Sequence, residues 1–248
     1  MRPLHIIMPM AGEGSRFLKE GITTPKPLIP CKGKTLFERA LMSLDNIDCS
    51  KKYSFIVRQE HIDKHDIARR IKSIIPEASM FSVRETTRGA VETCLLARQA
   101  IDFDDALVVM DCDLEFYSKS YNAYISEILR KSTDEVDGGA LVSFDSEDPR
   151  YSYAVADCNN RVIRTAEKEV ISNHALAGAY FFSKSISFIA AAERLLREAC
   201  HGSTEFYVSL LYNYLINDGE YVFLAKTDQY YSYGTPEELC RYQDEPGN

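Results

Sequence analysis

Short apolar runs alternate with longer amphipathic segments along the first half of the chain. Four runs are apolar or rich in β-branched residues and predict buried strands: Leu4–Met10, 53–57, Ser79–Val83 and Ala106–Met110. Four longer segments carry apolar residues at helical spacing and predict amphipathic helices: 35–44, 62–74, 89–101 and 120–131. This alternation predicts a mostly parallel sheet with helices on both faces.

The pattern changes near residue 136. The later strands are closer together, at 138–144, 151–156, 162–166 and 221–225, with an apolar and aromatic run at 175–182. A polar turn at 157–160 predicts a β-hairpin. Three helices are predicted in this half: 186–198, 206–216 and 236–241. Together the patterns predict one α/β domain over 1–248, with a mixed central sheet and a C-terminal half rich in antiparallel strands.

Composition excludes several classes of protein. The 248 residues carry 29 basic and 37 acidic side chains, a net charge of −8 that argues against non-specific nucleic-acid binding. The longest apolar runs span about six residues, far short of the ~20 that cross a bilayer. The first residues lack the apolar stretch of a secretory signal, so we do not expect an exported protein. Seven cysteines without a C-x-x-C pair predict free thiols and a cytoplasmic protein.

The loop after the first predicted strand is rich in small residues: Met10, Ala11, Gly12, Glu13, Gly14 and Ser15. Backbone N–H groups of such a loop can face a phosphate chain. Arg16 adds a fork of donors, and Lys26, between Pro25 and Pro27, offers an ammonium on a stiff backbone. Glycine spacing alone favours a simple turn and a surface lysine. The loop lacks the G-K-[ST] of a P-loop and the third glycine of a dinucleotide fingerprint.

A pair of acidic residues, Asp111 and Asp113, closes the predicted strand Ala106–Met110. Carboxylate oxygens two positions apart suit a hard cation, and beside phosphates they suit Mg²⁺. A solvated turn or a helix cap is an equal alternative for the motif alone. Because parallel strands end at one edge of a sheet, we expect this pair to lie opposite the small-residue loop.

These segments together resemble the sugar-phosphate nucleotidyltransferases, including glucose-1-phosphate thymidylyltransferase-like and bacterial choline-phosphate cytidylyltransferase-like members. The resemblance covers nearly the whole chain, and its elements follow in the same order: 11–16, 25–28, Gly33-Lys34, 87–90, Cys112-Asp113, Glu167-Lys168 and 234–237. It implies a Rossmann-like mixed fold and a requirement for Mg²⁺. It also implies transfer of a nucleotidyl group from an NTP to a sugar phosphate or similar monoester, with release of pyrophosphate.

The resemblance also implies roles for individual residues. Arg16 and Lys26 would be catalytic, Asp113 would bind the metal, and Asp111 would shape the nucleotide site. Nucleotide contacts would come from loop 10–15 and from Arg84, Thr87, Gly89 and Ala90. The acceptor would meet Glu167, Lys168 and Gly178. From the residues alone, an exposed ion pair is the favoured interpretation of Glu167-Lys168. A strand bulge is an equal alternative for Gly178.

The sequence departs from the family at one position. Many members have a second metal-binding aspartate two residues before the Gly-Thr element, where this chain has Ser232. Asp228 could replace it only if the strand end bends, and Glu115 or Asp111 could contribute instead. The metal would otherwise have one protein carboxylate, phosphates and water. This leaves room for acceptors such as phosphocholine besides sugar 1-phosphates.

The expected reaction therefore joins CTP, UTP or dTTP, in preference to ATP, to a phosphorylated small molecule. The residues at about 1–135 would bind the NTP and those at about 136–248 the acceptor, to make precursors of cell-surface or capsule polysaccharide. No nucleic-acid or membrane partner is expected, and a homo-oligomer remains open. Two alternatives compete: a glycosyltransferase of the D-x-D type, which Asp111-Cys112-Asp113 also matches, and a regulatory module that binds nucleotide without turnover.

Overall fold

The computed structural model of the protein describes residues 1–198 and 205–244. The strands in this part of the chain are β1 (Leu4–Met10), β2 (Pro30–Cys31), β3 (Lys34–Thr35), β4 (Lys51–Arg58), β5 (Ser79–Val83), β6 (Ala106–Met110), β7 (Leu114–Tyr117), β8 (Gly139–Asp145), β9 (Ser152–Ala156), β10 (Val162–Glu167), β11 (His174–Phe182), β12 (Val222–Lys226) and β13 (Gln229–Ser232). The α-helices are α1 (Ser15–Lys19), α2 (Leu36–Met42), α3 (Gln59–His65), α4 (Ile67–Ile74), α5 (Ala90–Leu95), α6 (Lys119–Ile128), α7 (Ser185–Glu198), α8 (Leu211–Asn217) and α9 (Pro236–Asp244).

One mixed sheet of nine strands organises the described residues. Strands β6, β1, β4 and β5 lie side by side in parallel. Strand β11 lies antiparallel to β6 and to β8, and β12 runs parallel to β8. The β9–β10 hairpin, connected by the predicted turn, joins the first half of β11. The predicted mixed sheet, parallel on its N-terminal side and richer in antiparallel pairs later, is confirmed.

Helices cover both faces of the sheet, as predicted. Along β1, Ile6 and Met8 belong to a buried cluster with α2, α4 and α6. The next side chain, Ile7, belongs to a second cluster with α5, α7 and α8. Successive side chains of a strand point to opposite faces, so a strand that is apolar throughout, such as β1, must be covered twice.

A third, smaller apolar cluster joins the two ends of the chain. Phe17 and Ile29 follow the small-residue loop, and they pack with Tyr233 and Leu239 from the region of α9. All four side chains are at most 5% exposed. This cluster brings the Gly-Thr element of the C-terminal region next to Lys26.

Three predicted helices are interrupted. The helix expected over 62–74 is two helices, α3 and α4, because Asp66 adopts a left-handed conformation (φ 53°) that aspartate tolerates better than most residues. The helix expected over 89–101 ends at Leu95, and a 3₁₀ turn follows at Arg98–Ala100. In 206–216, a 3₁₀ turn at Val208–Leu210 precedes α8.

A small two-stranded sheet, β7–β13, was not predicted from the sequence. It pairs Ser232 with Leu114 in antiparallel register, just beyond the end of β6. The Tyr233 N–H continues the contact and donates to the Asp113 carbonyl at 2.7 Å. Each strand has only four residues, too few for a clear alternation pattern. The pair places Ser232 and Gly234 beside the two aspartates.

Two further features bear on the composition. Among the described residues, no helix is both long and apolar enough to cross a bilayer. The cysteines in this part of the chain are free thiols, at positions 31, 49, 94, 112, 158 and 240. Cys200 lies outside the described residues.

We predict that His5 makes stability depend on pH. Its side chain in β1 is 2% exposed, and its Nε2 lies 2.9 Å from Ser54 Oγ. Burial lowers the pKa of His5 to about 4, whereas an unfolded histidine titrates near 6.5. The unfolded state therefore binds a proton at a higher pH than the folded state does. The His5 contribution to the unfolding free energy is at its maximum above about pH 6.5, and it decreases by up to about 3 kcal/mol as the pH falls to 4.

Chemical denaturation at a series of pH values would measure this effect. The difference in unfolding free energy between wild type and His5→Gln should change between pH 6.5 and 4, with the wild type losing more. Parallel curves for the two proteins would contradict the assignment.

Candidate active site

Two adjoining cavities open beyond the carboxyl ends of β1 and β6, with volumes of about 450 and 370 Å³. We call the first the loop cavity, because it is lined by Lys26 and by the residues of 9–17 other than Ala11 and Glu13. The second is the tyrosine cavity, lined by Tyr151, Tyr180, Tyr207 and Tyr230. Five residues line both: Arg16, Asp111, Asp113, Glu205 and Gly234. The sheet thus brings the predicted loop and the predicted acidic pair to one place.

The small-residue loop forms one wall of the loop cavity. Gly14 has φ +66°, a left-handed conformation from which the chain enters α1 at Ser15. The Arg16 guanidinium makes no hydrogen bond or ion pair with any described residue, which leaves its donors available to a ligand. Ala11 and Glu13 do not line this wall: the Ala11 carbonyl accepts from Arg58 at 3.3 Å, and Glu13 accepts from Thr86 at 3.0 Å. Their nucleotide contacts stay predictions.

Lys26 is held by Asp113 on the opposite wall. Its ammonium donates to Asp113 Oδ2 and lies 3.5 Å from the Gly234 carbonyl. Burial disfavours the ammonium, but the neighbouring acidic groups, chiefly Asp113, together outweigh burial and raise the pKa of Lys26. Burial also disfavours the carboxylate, and Lys26 in turn lowers the pKa of Asp113. The two groups therefore keep each other charged inside the cleft.

Asp111 is joined to β11 through its backbone. Its backbone N–H donates to the Gly178 carbonyl at 2.9 Å, where β11 shifts register. Burial raises the pKa of Asp111 to about 7, and the nearby charge of Asp113 adds to the effect. Gly178 has φ +73°, and a Cβ there would come within 2.7 Å of Asp111 Oδ2. Gly178 is therefore a strand bulge and also part of the cavity wall.

The acidic residues considered as additional metal ligands have other partners. Asp228 lies away from both cavities and accepts from the Lys119 N–H at 2.8 Å, so it does not replace the missing aspartate. Glu115 accepts from Arg39 at 2.9 Å and from the Tyr233 hydroxyl at 2.7 Å. Among the described residues, no group of three or more potential ligand side chains forms a metal site.

The Ser232 side chain forms a hydrogen bond with Glu238, a residue of the site that was not predicted from the sequence. The Ser232 hydroxyl donates to Glu238 Oε2 at 2.9 Å, and the Thr235 N–H donates to the same oxygen at 3.0 Å. Arg150 donates to the other oxygen of Glu238 and lines the tyrosine cavity. Glu238 has the spacing of a capping residue at the start of α9, a signal present in the sequence. Its ion pair with Arg150 is a tertiary contact that no sequence spacing reveals.

The turn at 87–90 contributes Gly89 and Ala90 to the tyrosine cavity. Thr87 donates to the Gly89 carbonyl at 3.2 Å and lies against Thr93, which fixes the turn internally. Thr87 and Arg84 line neither cavity, so their contacts with a nucleotide remain predictions.

Glu167 and Lys168 reach the tyrosine cavity from the end of β10. Ser152 and Ser209 donate to the Glu167 carboxylate, but burial outweighs these bonds and raises the pKa of Glu167. The Lys168 ammonium lies 3.3 Å from Glu205 and 4.6 Å from the centre of the Tyr207 ring. The two residues thus bond to separate partners and do not form an ion pair with each other.

Comparisons with known proteins find a matching family profile and related solved structures. A sequence profile of the nucleotidyl transferase family matches residues 4–243. A nucleoside-diphosphate-sugar pyrophosphorylase from Vibrio cholerae RC9 superposes with a TM-score of 0.82 at 26% identity, over 97% of this chain and 100% of that one. No curated protein matches the sequence.

More distant structures share the fold. A putative glucose-1-phosphate thymidylyltransferase from Bacillus anthracis has a TM-score of 0.76 at 21% identity, over 99% of this chain and 97% of that one. The inositol-1-phosphate CTP transferase from T. maritima has a TM-score of 0.69 at 13% identity, with 98% of each chain covered. The Rossmann-like fold that the sequence resemblance implies is confirmed. With a family profile that spans almost its whole length, the chain belongs to the nucleotidyl transferase family.

Proposed function

We propose that the protein transfers a nucleotidyl group from an NTP to a small phosphate monoester and releases pyrophosphate. One observation carries this proposal: the small-residue loop, Lys26 and the two aspartates line one cavity, and Lys168 lines the adjoining one. Groups of the kind that bind phosphate would thus face two adjoining cavities, which suits two phosphorylated substrates that react with each other.

The loop cavity suits the triphosphate. Backbone N–H groups of the loop and the unpaired Arg16 would hold the β- and γ-phosphates. Lys26 would neutralise the charge that develops at the α-phosphate, after exchanging Asp113 for a phosphate oxygen. We assign NTP binding to about 1–135, with the turn 87–90 facing the base, and CTP, UTP or dTTP in preference to ATP.

The donor set around Asp113 fits Mg²⁺ in part. Asp111 and Asp113 offer hard oxygen atoms at the boundary between the cavities, and Mg²⁺ accepts one or two carboxylates together with phosphates and water. When bound, Mg²⁺ would neutralise charge on the phosphates. Serine at position 232 is consistent with this sparse protein coordination, because its hydroxyl is already bonded to Glu238.

The reaction itself needs little covalent work from the protein. An acceptor phosphate oxygen forms a bond to the α-phosphorus, the bond between the α- and β-phosphates breaks, and pyrophosphate leaves with its electron pair. A phosphate monoester is largely ionised near pH 7, so no general base is required. Lys168 would orient the attacking phosphate, and Lys26 with Arg16 would stabilise the transition state.

The tyrosine cavity suits a small acceptor held by about 136–248. Glu167 would accept from a hydroxyl or another donor on the acceptor, and the Gly178 backbone would approach the acceptor. Sugar phosphates carry such hydroxyls, whereas phosphocholine has no hydrogen-bond donor and would instead place its quaternary ammonium beside the Glu167 carboxylate. The free thiols support a cytoplasmic location, and the product would serve as a precursor of cell-surface or capsule polysaccharide.

A matrix of four NTPs against a panel of phosphate monoesters tests the proposal directly. We expect pyrophosphate release with at least one pyrimidine nucleotide and one acceptor, only when Mg²⁺ is present. The panel should include glucose 1-phosphate and phosphocholine. Sugar transfer from a nucleotide sugar without pyrophosphate release would instead indicate a glycosyltransferase. Nucleotide binding without any turnover would indicate a regulatory module.

We predict that Lys26→Ala lowers kcat more than tenfold, because it removes the ammonium that faces the α-phosphate. Steady-state pyrophosphate release measures the effect, and thermal melting shows whether the fold is retained. Lys226→Ala is a matched control, since it breaks an ammonium–carboxylate pair with Asp145 (2.6 Å) outside the cleft. Unchanged kinetics for Lys26→Ala would remove this lysine from the mechanism.

We predict that Asp113→Asn is more damaging than Asp111→Asn. Loss of the metal ligand should cost about a hundredfold in Mg²⁺-dependent activity, whereas loss of its neighbour should cost about tenfold. Magnesium titrations of both variants give the comparison. The reverse order would mean that Asp111 is the principal ligand.

A further inference from the structure

The segment 205–207 is bound along one side to the turn 87–90. The Phe206 N–H donates to the Arg88 carbonyl at 2.7 Å, and the Val91 N–H donates to the Phe206 carbonyl at 3.1 Å. The Phe206 side chain is 2% exposed, and the Arg88 guanidinium lies 5.0 Å from the centre of its ring. Backbone and side chain together fix the segment to the turn.

Gly89 makes this close approach possible. A Cβ at Gly89 would lie 2.5 Å from the Phe206 nitrogen and 2.6 Å from its carbonyl oxygen. Gly89 also has φ +128°, a conformation that other residues rarely adopt. Any residue other than glycine would therefore push Phe206 away from the turn.

The other side of the segment holds Lys168. The Lys168 ammonium donates to the Tyr207 hydroxyl, and Glu205 lies 3.3 Å away. The backbone of Lys168 is left-handed (φ 55°), and its N–H donates to the Tyr151 carbonyl at 3.1 Å. Both ends of this lysine are thus fixed, although its side chain is 53% exposed. An exposed lysine held in this way is ordered before any ligand arrives.

We propose that segment 205–207 couples the two substrate sites, with Tyr207 and Glu205 as positioning residues for Lys168. The proposal rests on the proposed function, in which the turn 87–90 faces the nucleotide base and Lys168 meets the acceptor phosphate. A displacement of the turn moves Phe206, and with it the two side chains that hold the ammonium. Because a prepositioned lysine loses less rotamer entropy on binding, the acceptor binds more tightly when the segment is docked.

Chemical modification tests the anchoring without any substrate. Brief treatment with acetic anhydride, followed by peptide mass spectrometry, gives the acetylation rate of Lys168. We expect this rate to rise about fivefold in Tyr207→Phe and in Glu205→Gln, because each loses part of what holds the ammonium. Lys226, paired with Asp145, is the reference within the same sample. An unchanged rate at Lys168 in both variants would overturn the proposal.

Kinetics test what the anchoring does. With the NTP and acceptor that release pyrophosphate in the matrix described above, Tyr207→Phe should raise the acceptor KM about fivefold and change the NTP KM less than twofold. In a Lys168→Ala background, Tyr207→Phe should have no further effect, because the hydroxyl acts through the lysine. Additive losses would show a general structural role and contradict the assignment. The matched control is Tyr214→Phe on α8, which removes a hydroxyl that donates to Glu198 at 3.0 Å.

A glycine pair tests the coupling itself. Gly89→Ala should raise both the acetylation rate of Lys168 and the acceptor KM, because the new Cβ displaces Phe206. Gly219→Ala is the control: it has the same kind of positive φ (+89°), with nothing within 4 Å of a new Cβ. Equal effects of the two substitutions would contradict coupling. If Gly89→Ala does not fold, Arg88→Ala takes its place. Arg88→Ala removes the contact with the Phe206 ring without a clash, and it should raise both the acetylation rate of Lys168 and the acceptor KM.

The two proposals fail in different ways. If no NTP and acceptor release pyrophosphate, the proposed function is wrong, and acetylation still decides whether segment 205–207 holds Lys168. If pyrophosphate is released but Tyr207→Phe leaves both the acetylation rate and the acceptor KM unchanged, the function stands and the coupling is wrong.

Discussion

The parallel pairing of β1 with β6 is the constraint on which the cleft depends. Ile7 lies opposite Val109 in this register, and both side chains are fully buried. Parallel strands end at the same edge of a sheet, so the loops that follow them must face each other. The small-residue loop and Asp111-Cys112-Asp113 also make hydrogen bonds at this edge, from Arg58 to the Ala11 carbonyl and from the Asp111 N–H to the Gly178 carbonyl. The direction of the buried strands therefore brings the small-residue loop and the two aspartates to the same edge of the sheet.

Within the cleft, opposite charges from separate elements compensate each other before any ligand binds. Lys26 is paired with Asp113, and Lys168 lies beside Glu205. Each of these ion pairs joins residues far apart in sequence, and so does the pair of Arg150 with Glu238 from α9. In the proposed function, the phosphate that binds Lys26 must exchange places with Asp113, so its binding free energy includes the loss of an existing ion pair.

Secondary structure was predicted best for the strands and helices that are long and have an uninterrupted apolar face. Apolar runs such as Leu4–Met10 identified the core strands, and the motifs 11–16 and Asp111-Cys112-Asp113 identified one wall each of the loop cavity. The break at Asp66 and the four-residue strands β7 and β13 were not predicted. Local propensity is weak in these segments, and tertiary contacts determine their conformation. The place of Glu238 in the site was not predicted for a related reason. A helix-capping pattern does not reveal that Arg150 lies next to this carboxylate.

The small apolar cluster around Phe17 has a consequence for biosynthesis. Phe17 and Ile29 leave the ribosome early, whereas Tyr233 and Leu239, which cover them, emerge more than 200 residues later. Until then, Phe17 and Ile29, which follow the small-residue loop, lack the cover that Tyr233 and Leu239 provide, and the nascent chain exposes more of them to solvent and to chaperones. The first part of the cleft to be synthesised is thus among the last to be completed.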